Sequence, residues 1–103
     1  MIKVSVFYPQ TADSTFDIAY YRDVHMALVR EKLGDACKRT AIDSGLAGGA
    51  PGDLPTYIAM GHLYFDSTSE FETAFGPHAK EILGDIPNFT NMQPTIQISE
   101  VIE

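Results

Sequence analysis

Three histidines and one tyrosine carry most of the chemistry this chain could perform. Imidazole is the side chain that exchanges a proton near neutral pH, so its placement is informative. His25 falls at the centre of an apolar stripe, one helical turn after Tyr21, where the pattern calls for leucine. A neutral imidazole there needs a partner for each ring nitrogen. Desolvation would lower its pKa, which suits a general base. The plain alternative is a core histidine held by a carbonyl or a tyrosine hydroxyl. His62 interrupts an apolar run and shares its parity with Ile58, Met60 and Tyr64. It points either at helices or at a partner, and His62 and Tyr64 are candidates for binding substrate. His78 follows Pro77 at the start of a helical stretch, where it either joins the site or simply faces solvent.

The same residues speak against several other chemistries. The histidines are separated by 37 and 16 positions, which matches no metal-ligand spacing, and no metal is expected. A single axial histidine for haem has no signature here, and no cofactor is expected. The glycine-rich stretch over 45–55 precedes a strand and lacks Gly-Lys-Ser/Thr, so it is not a phosphate cradle. Cys37 stands alone, with neither a disulfide nor a dithiol motif open to it.

The elements that must position these residues follow from periodicity. Ile2, Val4, Val6 and Tyr8 alternate up to Pro9, a first strand. Between Asp17 and Leu33 the period becomes helical, with Ile18, Tyr21, His25, Leu28 and Val29 on one stripe. Thr15 or Asp17 can cap this helix and Gly34 can end it. Residues 36–46 read as an edge strand, and 45–55 as a loop. Tyr57 to Phe65 is apolar at both parities, as in a strand covered on both faces. Ser67 and Glu70 form a capping box before a second helix with Phe71, Ala74 and Phe75 inward. Gly76-Pro77 interrupts it, and His78, Ile82 and Leu83 resume its stripe. Thr95 to Ile102 alternates as a last strand.

Strand, helix, strand, strand, helix, strand is most simply a ferredoxin-like α+β fold, an antiparallel sheet with both helices on one face. The 103 residues, 45% hydrophobic and 20% charged, are expected to form one domain spanning 1–103. No segment remains to cover the second sheet face, so a homodimer through sheet-to-sheet packing is expected. Fourteen acidic residues against seven basic ones give a net charge of −7, which argues against nucleic acid and anionic membranes as partners. No apolar run is long enough to span a bilayer and the N-terminus reads as a strand, so a cytoplasmic location is expected.

Three stretches carry a resemblance. The stretch from Phe16 through Tyr20-Tyr21 and His25 to Val29, the Ala47-Gly-Gly-Ala-Pro51 loop, and Phe75-Gly-Pro-His78 followed by Asp85-Ile-Pro-Asn88-Phe89 resemble the EthD family, named for ethyl tert-butyl ether degradation. The resemblance implies a dimeric α+β barrel of two ferredoxin-like subunits. It carries His25 and Tyr21 over as candidate pocket residues, and His78 and Asn88 with less force. Related proteins of that fold include isomerases, cyclases, cofactor-independent monooxygenases and haem enzymes, so fold analogy alone does not choose a reaction.

Two functions are therefore expected to compete. In the first, His25 moves a proton beside a carbonyl in a neutral hydrophobic compound, in an isomerisation, cyclisation, dehydration or cofactorless oxidation, with Tyr21, His62 or His78 orienting the substrate or bonding a developing enolate. In the second, the chain is a non-catalytic dimeric binding or accessory module of a degradation pathway. An open cavity of roughly a few hundred Å³ reached by two or more of these side chains favours the first, and a closed core favours the second.

Overall fold

The computed structural model describes residues 1–103. Its strands are β1 (Ile2–Pro9), β2 (Arg39–Ser44), β3 (Tyr57–Phe65) and β4 (Thr95–Glu100). They form one antiparallel sheet in the order β2-β3-β1-β4. Two helical segments, α1 over 18–33 and α2 over 68–84, lie on one face, giving the ferredoxin-like arrangement. No helix is long and apolar enough to cross a membrane.

The pleat decides which residues meet the helices. Val4 pairs with Leu63 on one side and Ile98 on the other, and Tyr8 pairs with Ala59. The buried set Val4, Tyr8, Ala59, Leu63 and Phe65 is therefore one face of the sheet, closed by Tyr21, Met26, Val29 and Leu33 of α1 and Ile82 of α2. Burial of such side chains stabilises by about 1.5–3 kcal/mol each before the entropy of ordering is subtracted.

On β3 the double covering expected from its apolar sequence is met on one face only within a single chain. Ala59, Gly61, Leu63 and Phe65 are buried, whereas Met60, His62 and Tyr64 are half-buried on the face opposite the helices. His62 pairs there with Ser5 of β1 and Ala41 of β2.

The helix α1 departs from the expected geometry. It is α-helical over Ile18–Tyr20 and Met26–Leu33, with a π-helical turn over Tyr21–His25 between them. The Met26 amide donates to the Tyr21 carbonyl, five residues back. This wider turn shifts the buried stripe. Met26 is 2% exposed, while Leu28, expected inward at a constant 100° per residue, is half-buried. The Asp17 carboxylate caps the helix by accepting from the Tyr20 amide at 3.0 Å, and Gly34 ends it with φ of 58°.

In α2, Thr68–Phe75 and Ala79–Gly84 are joined by a tight 3₁₀ turn, Gly76–His78, so Gly-Pro modulates the helix rather than ending it. The Glu70 amide donates to Ser67 Oγ at 3.1 Å, the first half of the expected capping box. Leu83, expected on the buried stripe, is 44% exposed. The last strand closes at Glu100, and Ile102 lies beyond it, exposed.

Candidate functional site

Between the helices and the sheet lies a cavity of about 80 Å³. Val4, Val6 and Leu63 form its floor, Met26 and Val29 one wall, and Phe71 and Phe75 another. Tyr8, Tyr21 and His25 also line it, and no acidic residue, lysine or arginine does. The volume is well below that of a typical ligand pocket, roughly 300–1,000 Å³. Leu83 and Ile96, 44% and 51% exposed, stand at its rim with Pro94.

His25 enters this cavity as one member of a hydrogen-bonded group. Its Nδ1–H donates to Asp85 Oδ2 at 2.9 Å. The Tyr20 hydroxyl donates to Asp85 Oδ1 at 2.7 Å, and Asn88 Nδ2 donates to the same oxygen at 2.9 Å. The carboxylate is thus held by three donors. Burial alone would raise the Asp85 pKa, but the bonds from Asn88, Tyr20 and His25 outweigh it and hold the group below the usual carboxylate value. His25 moves the other way. Burial pushes its pKa below the usual imidazole value, and the Asp85 charge offsets this only in part, so the ring is neutral at pH 7.

With Nδ1–H committed to Asp85, the lone pair sits on Nε2, which has no partner in the protein. No fully buried side-chain nitrogen or oxygen lacks a partner, so Nε2 is not sealed in. It opens on the cavity that the ring lines. The ring plane is fixed between Tyr21, nearly parallel at 5.5 Å, and Phe89 at 4.6 Å. This is the arrangement of an oriented general base in an apolar site.

The local fold explains how Asp85 arrives there. It caps the end of α2 and opens the 3₁₀ turn Ile86–Asn88. The chain beyond is stitched to the start of α1: the Asp17 amide donates to the Phe89 carbonyl at 2.8 Å, and Thr90 Oγ1 donates to the Thr15 carbonyl at 2.6 Å. Phe16 and Thr90 form an isolated bridge.

Of the expected site residues, the structure brings His25 and Tyr21 together in the cavity and links Asn88 to His25 through Asp85. Asn88 itself is exposed and outside the cavity. His62 and Tyr64 lie on the opposite side of the sheet, because their parity on β3 is that of Met60 and not of the buried Gly61. There His62 meets Ser5 Oγ at 2.9 Å and Asp43 Oδ2 at 3.1 Å, and the Arg39 guanidinium lies 4.6 Å from the Tyr64 ring centre. His78 is half-buried in the α2 turn and does not line the cavity. Asp85 was not among the residues singled out by sequence. The signal that finds it is the demand of a buried imidazole for an acceptor, combined with the Asp-x-Pro-Asn-Phe segment. No group of three or more His, Cys, Asp or Glu is placed to hold a metal ion.

An antiparallel four-stranded sheet with its helices on one face is the ferredoxin-like class of small α+β proteins. The chain belongs to the EthD domain family, whose pattern it matches over residues 9–93. It is similar to an EthD-like protein of Ralstonia eutropha JMP134, with 47% identity, 99% of this chain and 92% of that one covered, and a TM-score of 0.95. An EthD family protein of Bacillus halodurans C-125 shares the fold at 20% identity, with 99% of both chains covered and a TM-score of 0.75. An uncharacterized 11.0 kDa protein from the thcB-thcC intergenic region of Rhodococcus erythropolis is 29% identical over 88% of this chain and 85% of its own length.

Proposed function

We propose that this chain is an enzyme that moves a proton on a small, neutral, largely apolar compound, with His25 as the base. The cavity, at about 80 Å³, is smaller than the few hundred Å³ that would favour an enzyme by size, and the observation that carries this reading is instead the neutral His25 ring, anchored through Nδ1 to Asp85 with Nε2 open on apolar side chains. Nε2 accepts a proton from a carbon beside a carbonyl. The C–H electron pair passes toward the carbonyl oxygen to give an enolate, and the imidazolium returns the proton to carbon or oxygen. No net oxidation is involved. Tyr21 stands beside the ring as the donor available to the developing oxyanion. Asp85 stabilises the imidazolium while it exists, and Tyr20 and Asn88 hold Asp85.

The test uses cyclopentanone in deuterated water. The wild-type protein should exchange its α-protons faster than a His25→Asn variant of equal secondary structure. Equal rates in the two would remove His25 as a base.

The assembly completing this reading is a homodimer through the face of the sheet opposite the helices. Phe7, Tyr57, Met60 and Tyr64 gather there, with the Phe7 and Tyr57 rings 4.9 Å apart, and no element of the chain supplies a second layer. An identical sheet is the economical cover. His62 and Tyr64 then belong to an interface instead of the cavity.

A further inference from the structure

Two phenols face the cavity together. Tyr8 of β1 is 1% exposed and Tyr21 of α1 is 2% exposed, both line the cavity, and their rings meet edge to face at 5.6 Å. The two hydroxyls are neighbours, and neither makes a hydrogen bond to any other group of the chain. Burial keeps both protonated: the Tyr21 phenol is pushed up to about 12, and Tyr8, which also feels Tyr21, goes higher still. The Tyr21 hydroxyl rests above Gly61, where any Cβ would collide with it. Glycine is therefore what allows a hydroxyl at this height over the sheet.

The hydrogen count is uneven. Two hydroxyls bring two protons, their mutual contact can use one at most, and at least one is left without an acceptor in the protein. No fully buried polar atom lacks a partner, so this donor opens on the cavity that both rings line, where it can meet one acceptor atom. The acceptor must be neutral, because no cation lines the cavity to balance an anion taken out of water. The ligand must also be small at that end. The cavity's 80 Å³ is roughly half of the ~150 Å³ that holds a benzene ring. Anything larger than a few heavy atoms extends toward the exposed rim of Leu83, Pro94 and Ile96.

We propose that Tyr8 and Tyr21 form an oxygen-binding site: the pair donates one hydrogen bond to the single neutral oxygen of a ligand that enters oxygen first, its apolar remainder lying across Leu83, Pro94 and Ile96. The inference rests on the proton-transfer reading for taking this cavity as the working site. It deepens that reading by adding Tyr8 and by fixing the ligand's chemistry and orientation.

The experiment compares three probes of similar shape by amide chemical-shift titration: cyclopentanone, methylenecyclopentane and cyclopentanecarboxylate. The ketone should bind at least tenfold tighter than the alkene, with the carboxylate weakest. Tyr8→Phe combined with Tyr21→Phe should bring the ketone-to-alkene ratio to about one. Should the double variant fail to fold, the wild-type ratio and the Tyr8→Phe single variant decide the matter. A wild-type ratio of one, including no binding of either probe, overturns the oxygen site. No exchange of cyclopentanone by the wild type, or equal exchange by the wild type and His25→Asn, with the ratio intact would overturn the catalytic reading alone, so the two fail separately.

Discussion

His25 Nδ1 and Asp85 Oδ2 are 2.9 Å apart across sixty residues of chain, joining the middle of α1 to the end of α2. The contact fixes the tautomer of a buried imidazole and leaves its other nitrogen on a cavity.

Replacing the acceptor should change which nitrogen carries the proton. In Asp85→Asn, the Tyr20 and Asn88 donors still require an oxygen at the Oδ1 position, so the new amide nitrogen faces His25. Nδ1 must then accept, and the proton moves to Nε2, where a base needs a lone pair. Exchange of cyclopentanone α-protons should fall by roughly 10²–10⁴-fold with the fold retained, a range set by loss of general-base catalysis or of its correct tautomer. Unchanged exchange in this variant would detach Asp85 from the chemistry.

The burial of His25 also fixes the sign of a pH effect on stability. Its folded pKa lies below the unfolded value of 6.5. Above 6.5 both states hold the ring neutral and the full stability is present. As pH falls, the unfolded chain takes up the proton first, so stability is lost from 6.5 down through the folded pKa. Urea midpoints at pH 7.5 and pH 5 should therefore fall more in the wild type than in His25→Leu. Parallel losses in the two proteins would place the sensitivity elsewhere.

Gly61→Ala should destabilise by about 1–3 kcal/mol, the usual cost of forcing extra volume into a packed region, because the added methyl meets the Tyr21 hydroxyl. Adding Tyr21→Phe removes that oxygen and should recover part of the loss. A double-mutant cycle in urea reads the coupling, and additive effects would mean that the two positions do not meet.

Met60→Lys places a charge on the sheet face opposite the helices and should convert a dimer into a monomer without altering helix content. Sedimentation of the two proteins checks this. A wild-type chain that sediments as a monomer would remove sheet-to-sheet pairing from the account.

Much of the fold was legible because burial follows simple periods. The alternation of Ile2 to Tyr8 and the capping residues Asp17 and Ser67 named their elements without tertiary information. His25 was legible for the same reason, as a polar residue on an apolar stripe. Its partner was not, because hydrogen bonding to Asp85 depends on how the 85–90 segment is pinned to Phe16 and Asp17, a long-range contact with no local pattern. The side of the sheet taken by His62 was not legible for a third reason. A strand apolar at both parities gives no sign of which face its helices will choose, and here they chose that of Gly61 and Leu63.

The π turn of α1 makes the site depend on chain length as well as residue type. Tyr21 to His25 holds one residue more than a regular helix would use to close the same turn, and Met26 closes it. Deleting a single exposed residue, such as Asp23, would let the helix wind regularly and remove no cavity-lining side chain. The flanking α-helical pieces would keep their register, but Tyr21 and His25 would stand three residues apart instead of four. Tyr21 and His25 could not then both remain over Gly61 and Asp85. A shortened but well-folded helix would be a mis-set one, so natural length variation should be least tolerated between these two residues.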